Sequence, residues 1–133
     1  MNYYISTNLK TDFDSAINQV QEALKDEGFG ILSEINIHEK FKEKLDIDYH
    51  KYTILGACNP PLAHEALTTE NKVGVMLPCN VIVQEIGPEN IEVASIDPFT
   101  SMQVIDNDEL SHIAKQVNEK LENVINALNS HNQ

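Results

Sequence analysis

Apolar residues return along this chain with two different periods, and the changes between them mark its elements. Tyr3 to Asn8 is a short β-type run containing Tyr4 and Ile5. Behind Thr11, the residues Phe13, Ile17, Val20 and Leu24 are spaced 4, 3 and 4 apart, one face of an amphipathic helix. Thr11 with Asp14 reads as its capping pair, and Gly28 stops it where a left-handed backbone is needed. Phe29, Ile31, Ser33, Ile35 and Ile37 then alternate with Gly30, Leu32, Glu34 and Asn36, which is the period of a strand. His38 to Asp46 is a charged helical turn or two, with Phe41 and Leu45 one turn apart and its lysines and glutamates forming a solvated face.

Tyr52 to Ala57 is apolar and β-branched, hence a strand. Asn59 is placed to cap the helix that follows, Pro60 or Pro61 suits its first turn, and Leu62, Ala63, Ala66 and Leu67 supply its buried face. Cys79 to Ile86 carries Val81 and Val83 on one side and Ile82 and Ile86 on the other, so a central strand is expected. Gly87-Pro88-Glu89-Asn90 has hairpin chemistry, and Ile91 to Asp97 returns as the partner strand until Asp97-Pro98 ends it. The longest loop, Asp97 to Asn107, holds Phe99 and Met102, which suits packing rather than exposure. Leu110, Ile113, Val117, Leu121, Val124 and Leu128 step by 3, 4, 4, 3 and 4 along a closing helix that Asp106 and Glu109 open as a capping box. Ser130 to Gln133 is polar and expected to fray.

The order is therefore β-α-β-(short α)-β-α-β-β-α. Strands and long helices do not alternate regularly, and one hairpin is clear. This predicts an α+β fold, a mixed and mostly antiparallel sheet with helices packed on it, as one domain over residues 1–133. A length of 133 residues suffices for a single core. Nine Lys and Arg against 21 Asp and Glu give a net charge of −12, which repels nucleic acid and anionic membrane. The basic stretch Lys40, Lys42, Lys44 is interleaved with Glu39, Glu43 and Asp46, so its field largely cancels. The start MNYYISTNLK has neither a basic nor an apolar leader region, and no stretch is long enough to span a bilayer. With two cysteines only, the expectation is free thiols and a cytoplasmic location.

The distinctive chemistry is a pair of Cys-Asn dipeptides. Gly56-Ala57-Cys58-Asn59-Pro60 ends one strand and opens a helix, and Leu77-Pro78-Cys79-Asn80-Val81 begins the next strand, 21 positions on. If these strands are antiparallel neighbours, the two dipeptides meet at one edge of the sheet. Cys58 precedes a helix N-terminus, where unpaired N–H groups favour an anion and can activate a thiol. The same groups suit a carboxylate or phosphate ligand, with Asn59 and Asn80 to orient it and His64 as the nearest imidazole. Against this stand plainer roles: cysteine is among the most buried residue types, and capping alone explains Asn59. Two cysteines without a CxxC or HxxxH spacing are weak evidence for zinc, which usually wants four ligands and would need a dimer to pool them, and no catalytic constellation such as GxGxxG, Walker A, GxSxG or HExxH is present.

Two readings follow. The first is a binding or sensing module for a small ligand at Cys58, Asn59, Cys79, Asn80 and His64, with its cofactor, if any, unspecified. The second is thiol-based redox, thiol-transfer or metal-handling chemistry at Cys58 and Cys79. An acidic surface meeting a basic partner is a third and plainer one. Tyr52 to Pro60 followed by Leu77 to Val81 resembles the family called Domain of Unknown Function 302. The matching positions are Gly56, Cys58, Asn59, Pro60, Pro78, Cys79 and Asn80, and the similarity extends from the opening strand and helix to the closing helix. The resemblance implies a compact α+β domain of bacterial or archaeal cytoplasm that forms a homodimer. It implies no reaction.

Overall fold

β4 (Cys79–Gly87) is the middle strand of a five-stranded sheet ordered β1-β5-β4-β3-β2. The fold is seen in a computed structural model, which describes residues 2–131. The other strands are β1 (Tyr4–Leu9), β2 (Gly30–Asn36), β3 (Tyr52–Cys58) and β5 (Asn90–Ile96). Every neighbouring pair is antiparallel, so the expected mixed sheet is antiparallel throughout. β1 and β2 form its two edges. The helix between them, α1 (Phe13–Asp26), therefore carries the chain across the whole sheet.

The alternation read from β4 is the alternation found. Val81 and Val83 point into the helix layer and are 0% exposed, while Ile82 lies on the other face. α1 and α5 (Asp108–His131) cover the inner face. Their apolar stripes put Val20, Leu24, Leu121 and Leu128 against Leu55, Val81, Val83 and Val93. The polar Thr53 is fully buried in this layer, and its hydroxyl donates to Asn36 Oδ1 at 2.7 Å, which satisfies it. α2 (Ile37–Leu45) is the charged short helix and buries no residue. α3 (Pro60–Thr69) and a 3-10 turn at Asn71–Met76 join β3 to β4.

Beyond the end of the sheet a second apolar cluster gathers Leu62 and Ala66 of α3, Val73, Met102, and Leu110, Ile113 and Ala114 of α5. Val117 packs against both clusters. The loop after β5 is not open chain: α4 (Pro98–Ser101) and a 3-10 turn at Met102–Val104 fill most of it. Met102 is buried there, and Phe99 stays at the surface.

Both long helices are capped one residue later than expected. Asp12, not Thr11, caps α1, its carboxylate accepting from Ser15 N at 2.7 Å and from the Ser15 hydroxyl at 2.9 Å. Asn107, not Asp106, caps α5 through Leu110 N at 3.0 Å and also donates to the Thr69 carbonyl at 3.1 Å. The second bond ties α5 to the end of α3. Ser130 is still helical, and Asn132 and Gln133 of the expected frayed tail lie outside the described residues.

Candidate functional site

The β3–β4 ladder sets Ala57 opposite Cys79 and Gly56 opposite Asn80. The two Cys-Asn dipeptides therefore lie side by side at one end of the sheet. Their side chains then part company. Cys58, Asn59 and Cys79 border a cavity of about 310 Å³ between this sheet end, α3 and α5. Asn80 is on the outer face, among Tyr52, Ile82 and Gln84. Successive residues of a strand point to opposite sides, so Cys79 and Asn80 cannot both address one ligand from within β4. His64 is exposed on α3 and does not line the cavity.

The wall of the cavity is apolar. Phe29, Leu62, Leu77, Pro78, Met102, Leu110 and Ile113 form most of it. Small side chains at Ala57, Ala63, Ala66 and Ala114 leave the space open. No lysine, arginine, histidine, aspartate or glutamate lines it among the described residues. The contributions from α4, the turn after it and α5 lie far from both cysteines in the sequence. Their sequence signals are Met102 in the loop after β5 and the apolar stripe of α5, whose first turns run past the sheet.

The start of α3, where an anion is expected, offers few N–H groups for a local reason. Pro60 and Pro61 occupy the first two helical positions and have no N–H to offer. The next donor, Leu62 N, is already used by Asn59 Oδ1 at 3.4 Å, and Ala63 N by the Asn59 carbonyl at 2.8 Å. Asn59 Nδ2 reaches back to the Glu27 carbonyl at 3.4 Å. Its side chain thus clamps the start of α3 to the end of α1. Gly28 sits in the left-handed region at φ +85°, and a Cβ there would come within 3.1 Å of Asn59 Nδ2.

Both cysteines are free thiols. Cys79 is 7% exposed. Burial pushes its thiol up to about 11, with a further push from the neighbouring Cys58. Such a thiol is protonated at neutral pH and a poor nucleophile. Cys58 is half-buried at the cavity wall. Among the described residues no three His, Cys, Asp or Glu side chains gather to hold a metal ion. No helix among them is long and apolar enough to cross a membrane.

These features define a class: a two-layer α+β domain with an antiparallel sheet and an apolar pocket where its C-terminal helix overruns the sheet. The chain belongs to the family described as Domain of unknown function DUF302, which matches residues 5–128. It is similar to an uncharacterized conserved DUF302 protein of Bacillus stearothermophilus whose crystal structure is known. The TM-score is 0.88 at 26% identity, covering 95% of this chain and 98% of that one. No curated protein matches the chain.

Proposed function

We propose that this domain binds a small, neutral, apolar molecule in the cavity between α3, α5 and the end of β3 and β4. The observation that carries the reading is an apolar hollow of about 310 Å³ with no charged side chain in its wall among the described residues. That volume is at the lower end of the range of ligand pockets, about 300–1,000 Å³. Transfer of an apolar ligand from water into such a wall is favourable by about 25 cal/mol per Å² buried, whereas an ion placed there loses its hydration without a partner. The capped, proline-headed start of α3 argues against an anionic ligand, and the raised Cys79 thiol argues against thiol chemistry. A role in sensing belongs to the same reading, with ligand occupancy as the signal.

The proposal includes a cytoplasmic homodimer. Leu32 and Leu67 are exposed where they border the cavity, an apolar rim suited to a second copy. The net charge of −12 supports the absence of a nucleic-acid partner. Sedimentation equilibrium tests the assembly: a dimer that Leu32→Glu dissociates is expected, and a monomeric wild type overturns it.

Thermal unfolding with straight-chain alkanols and with carboxylates of equal length tests the pocket. The alkanols are expected to raise the melting temperature and the carboxylates are not. Ala63→Leu, which fills the hollow, is expected to abolish the alkanol shift. A shift that survives Ala63→Leu, or one no larger for alkanols than for carboxylates, removes the reading.

A further inference from the structure

On the opposite face of the sheet lies a second hollow, of about 400 Å³, whose chemistry is different. Its floor is Ile82 and its register partner Ala94. Ala94 lies between Glu92 and Ile96 on the same face, and its single methyl group leaves the depression. Tyr52, Tyr3 and Tyr4 line it. The Tyr3 and Tyr4 rings stand edge to face with centroids 5.1 Å apart.

The carboxylate is fixed by a row of cross-strand partners. Tyr52 is opposite Gln84, and Gln84 is opposite Glu92. Gln84 Nε2 donates to Glu92 Oε1 at 2.7 Å. Gln84 Oε1 lies 2.8 Å from His50 Nε2 and can only accept, so the imidazole donates. The amide is held at both ends, and Glu92 is held by the amide. No lysine or arginine lines this hollow among the described residues. Burial first, then Tyr49 and Glu92, hold the Tyr52 hydroxyl above its ordinary pKa, so the ring is neutral in a negative local field.

We propose that this hollow binds a small organic ammonium ion, its charged head against the tyrosine rings and Glu92 and its carbon on Ile82 and Ala94. Aromatic faces attract a cation through their quadrupole, and quaternary ammonium groups combine weak hydration with apolar methyls, which suits such a wall. The site is on the other side of the sheet from the apolar cavity and does not rest on that reading.

Choline is the probe. Its neutral isostere, with a tert-butyl group in place of trimethylammonium, is the control. Ring currents are expected to move the N-methyl resonances upfield in a saturable way. The isostere, Glu92→Gln and Tyr52→Leu are each expected to bind at least about tenfold more weakly, and Tyr52→Phe to bind as the wild type does. Thermal unfolding confirms that each variant is folded; if Tyr52→Leu is not, Glu92→Gln decides. Equal binding of the isostere, unchanged affinity in Glu92→Gln, or no saturation overturns the proposal. So does a dimer that Ile82→Glu dissociates in a protein that takes up no choline, since a second copy then covers the face.

Discussion

Ala57 and Cys79 are register partners across β3 and β4, and this pairing decides the character of the second thiol. A residue opposite Ala57 must face the helix layer, because Ala57 itself is buried there. Cys79 therefore belongs to the same core cluster as Val81 and Leu55, and only its position at the start of β4 gives it a share in the cavity wall. The sulfur of Cys79 is a packing atom first.

Its ionisation follows. An unfolded thiol loses its proton near about pH 8.5, and the folded one holds it to about 11. Between those values the folded state binds more protons than the unfolded, so stability falls as pH rises. The contribution is complete below the unfolded pKa and is lost as pH climbs to the folded one. The slope is at most about 1.4 kcal/mol per pH unit for a single group. Tyr52, also raised, adds a slope of the same sign. Urea unfolding of wild type and Cys79→Ala across this range isolates the thiol. The variant is expected to begin about 1 kcal/mol less stable and to lose less with pH. Parallel curves for the two proteins refute the assignment. At neutral pH Cys79 is expected to resist alkylation until the protein unfolds.

Gly56 is required by its neighbours across the sheet. A Cβ there would overlap Ser33 Oγ and lie 2.8 Å from Pro78 Cγ. The serine hydroxyl can rotate, but the proline ring cannot swing aside. Gly56→Ala is expected to destabilise by about 1–3 kcal/mol, read as a lower urea midpoint. Ser33→Gly in the same chain recovers part of it. A midpoint within error of wild type rejects the close contact.

The hairpin turn Pro88-Glu89 links the paired Gly87 and Asn90, with Glu89 at φ +53°. An L side chain in the left-handed region costs about 1–2 kcal/mol, and glycine avoids most of that while adding freedom to the unfolded chain. Glu89→Gly is expected to raise stability by about 0.5–1 kcal/mol, and Glu89→Ala to leave it nearly unchanged. A destabilised glycine variant contradicts the strain.

The elements were legible where one period dominates. The stripe from Leu110 to Leu128 and the two-sided pattern of β4 admit one reading each. The helix starts were not, because Thr11 beside Asp12 and Asp106 beside Asn107 are each two adequate caps in a row. Tertiary bonds choose between them, as the Asn107 bond to the Thr69 carbonyl shows. The cavity was hidden because periodicity marks Leu110 and Leu121 as equally buried without saying that one meets the sheet and the other meets α3. Two features of the site were readable. The strand period separates Cys79 from Asn80, and Pro60-Pro61 removes the donors that an anion would need.

Asn59 performs two tasks that a substitution can separate. Its Oδ1 caps α3 at Leu62 N, and its Nδ2 donates to the Glu27 carbonyl at the end of α1. Aspartate keeps the first bond and is a good N-cap, but it has no donor for the second and sets a carboxylate against a carbonyl oxygen. Alanine loses both. On a capping role alone, Asn59→Asp would match the wild type and Asn59→Ala would lose about 1 kcal/mol. With the clamp to Glu27 included, both are expected to lose about 1–2 kcal/mol in chemical denaturation, since the half-buried carbonyl is left without its partner in each. Hydrogen exchange separates the two variants. Asn59→Asp is expected to lose protection at the α1 terminus and keep it in the first turn of α3, and Asn59→Ala to lose both. Wild-type stability in Asn59→Asp shows that the clamp contributes nothing and leaves Asn59 a cap only.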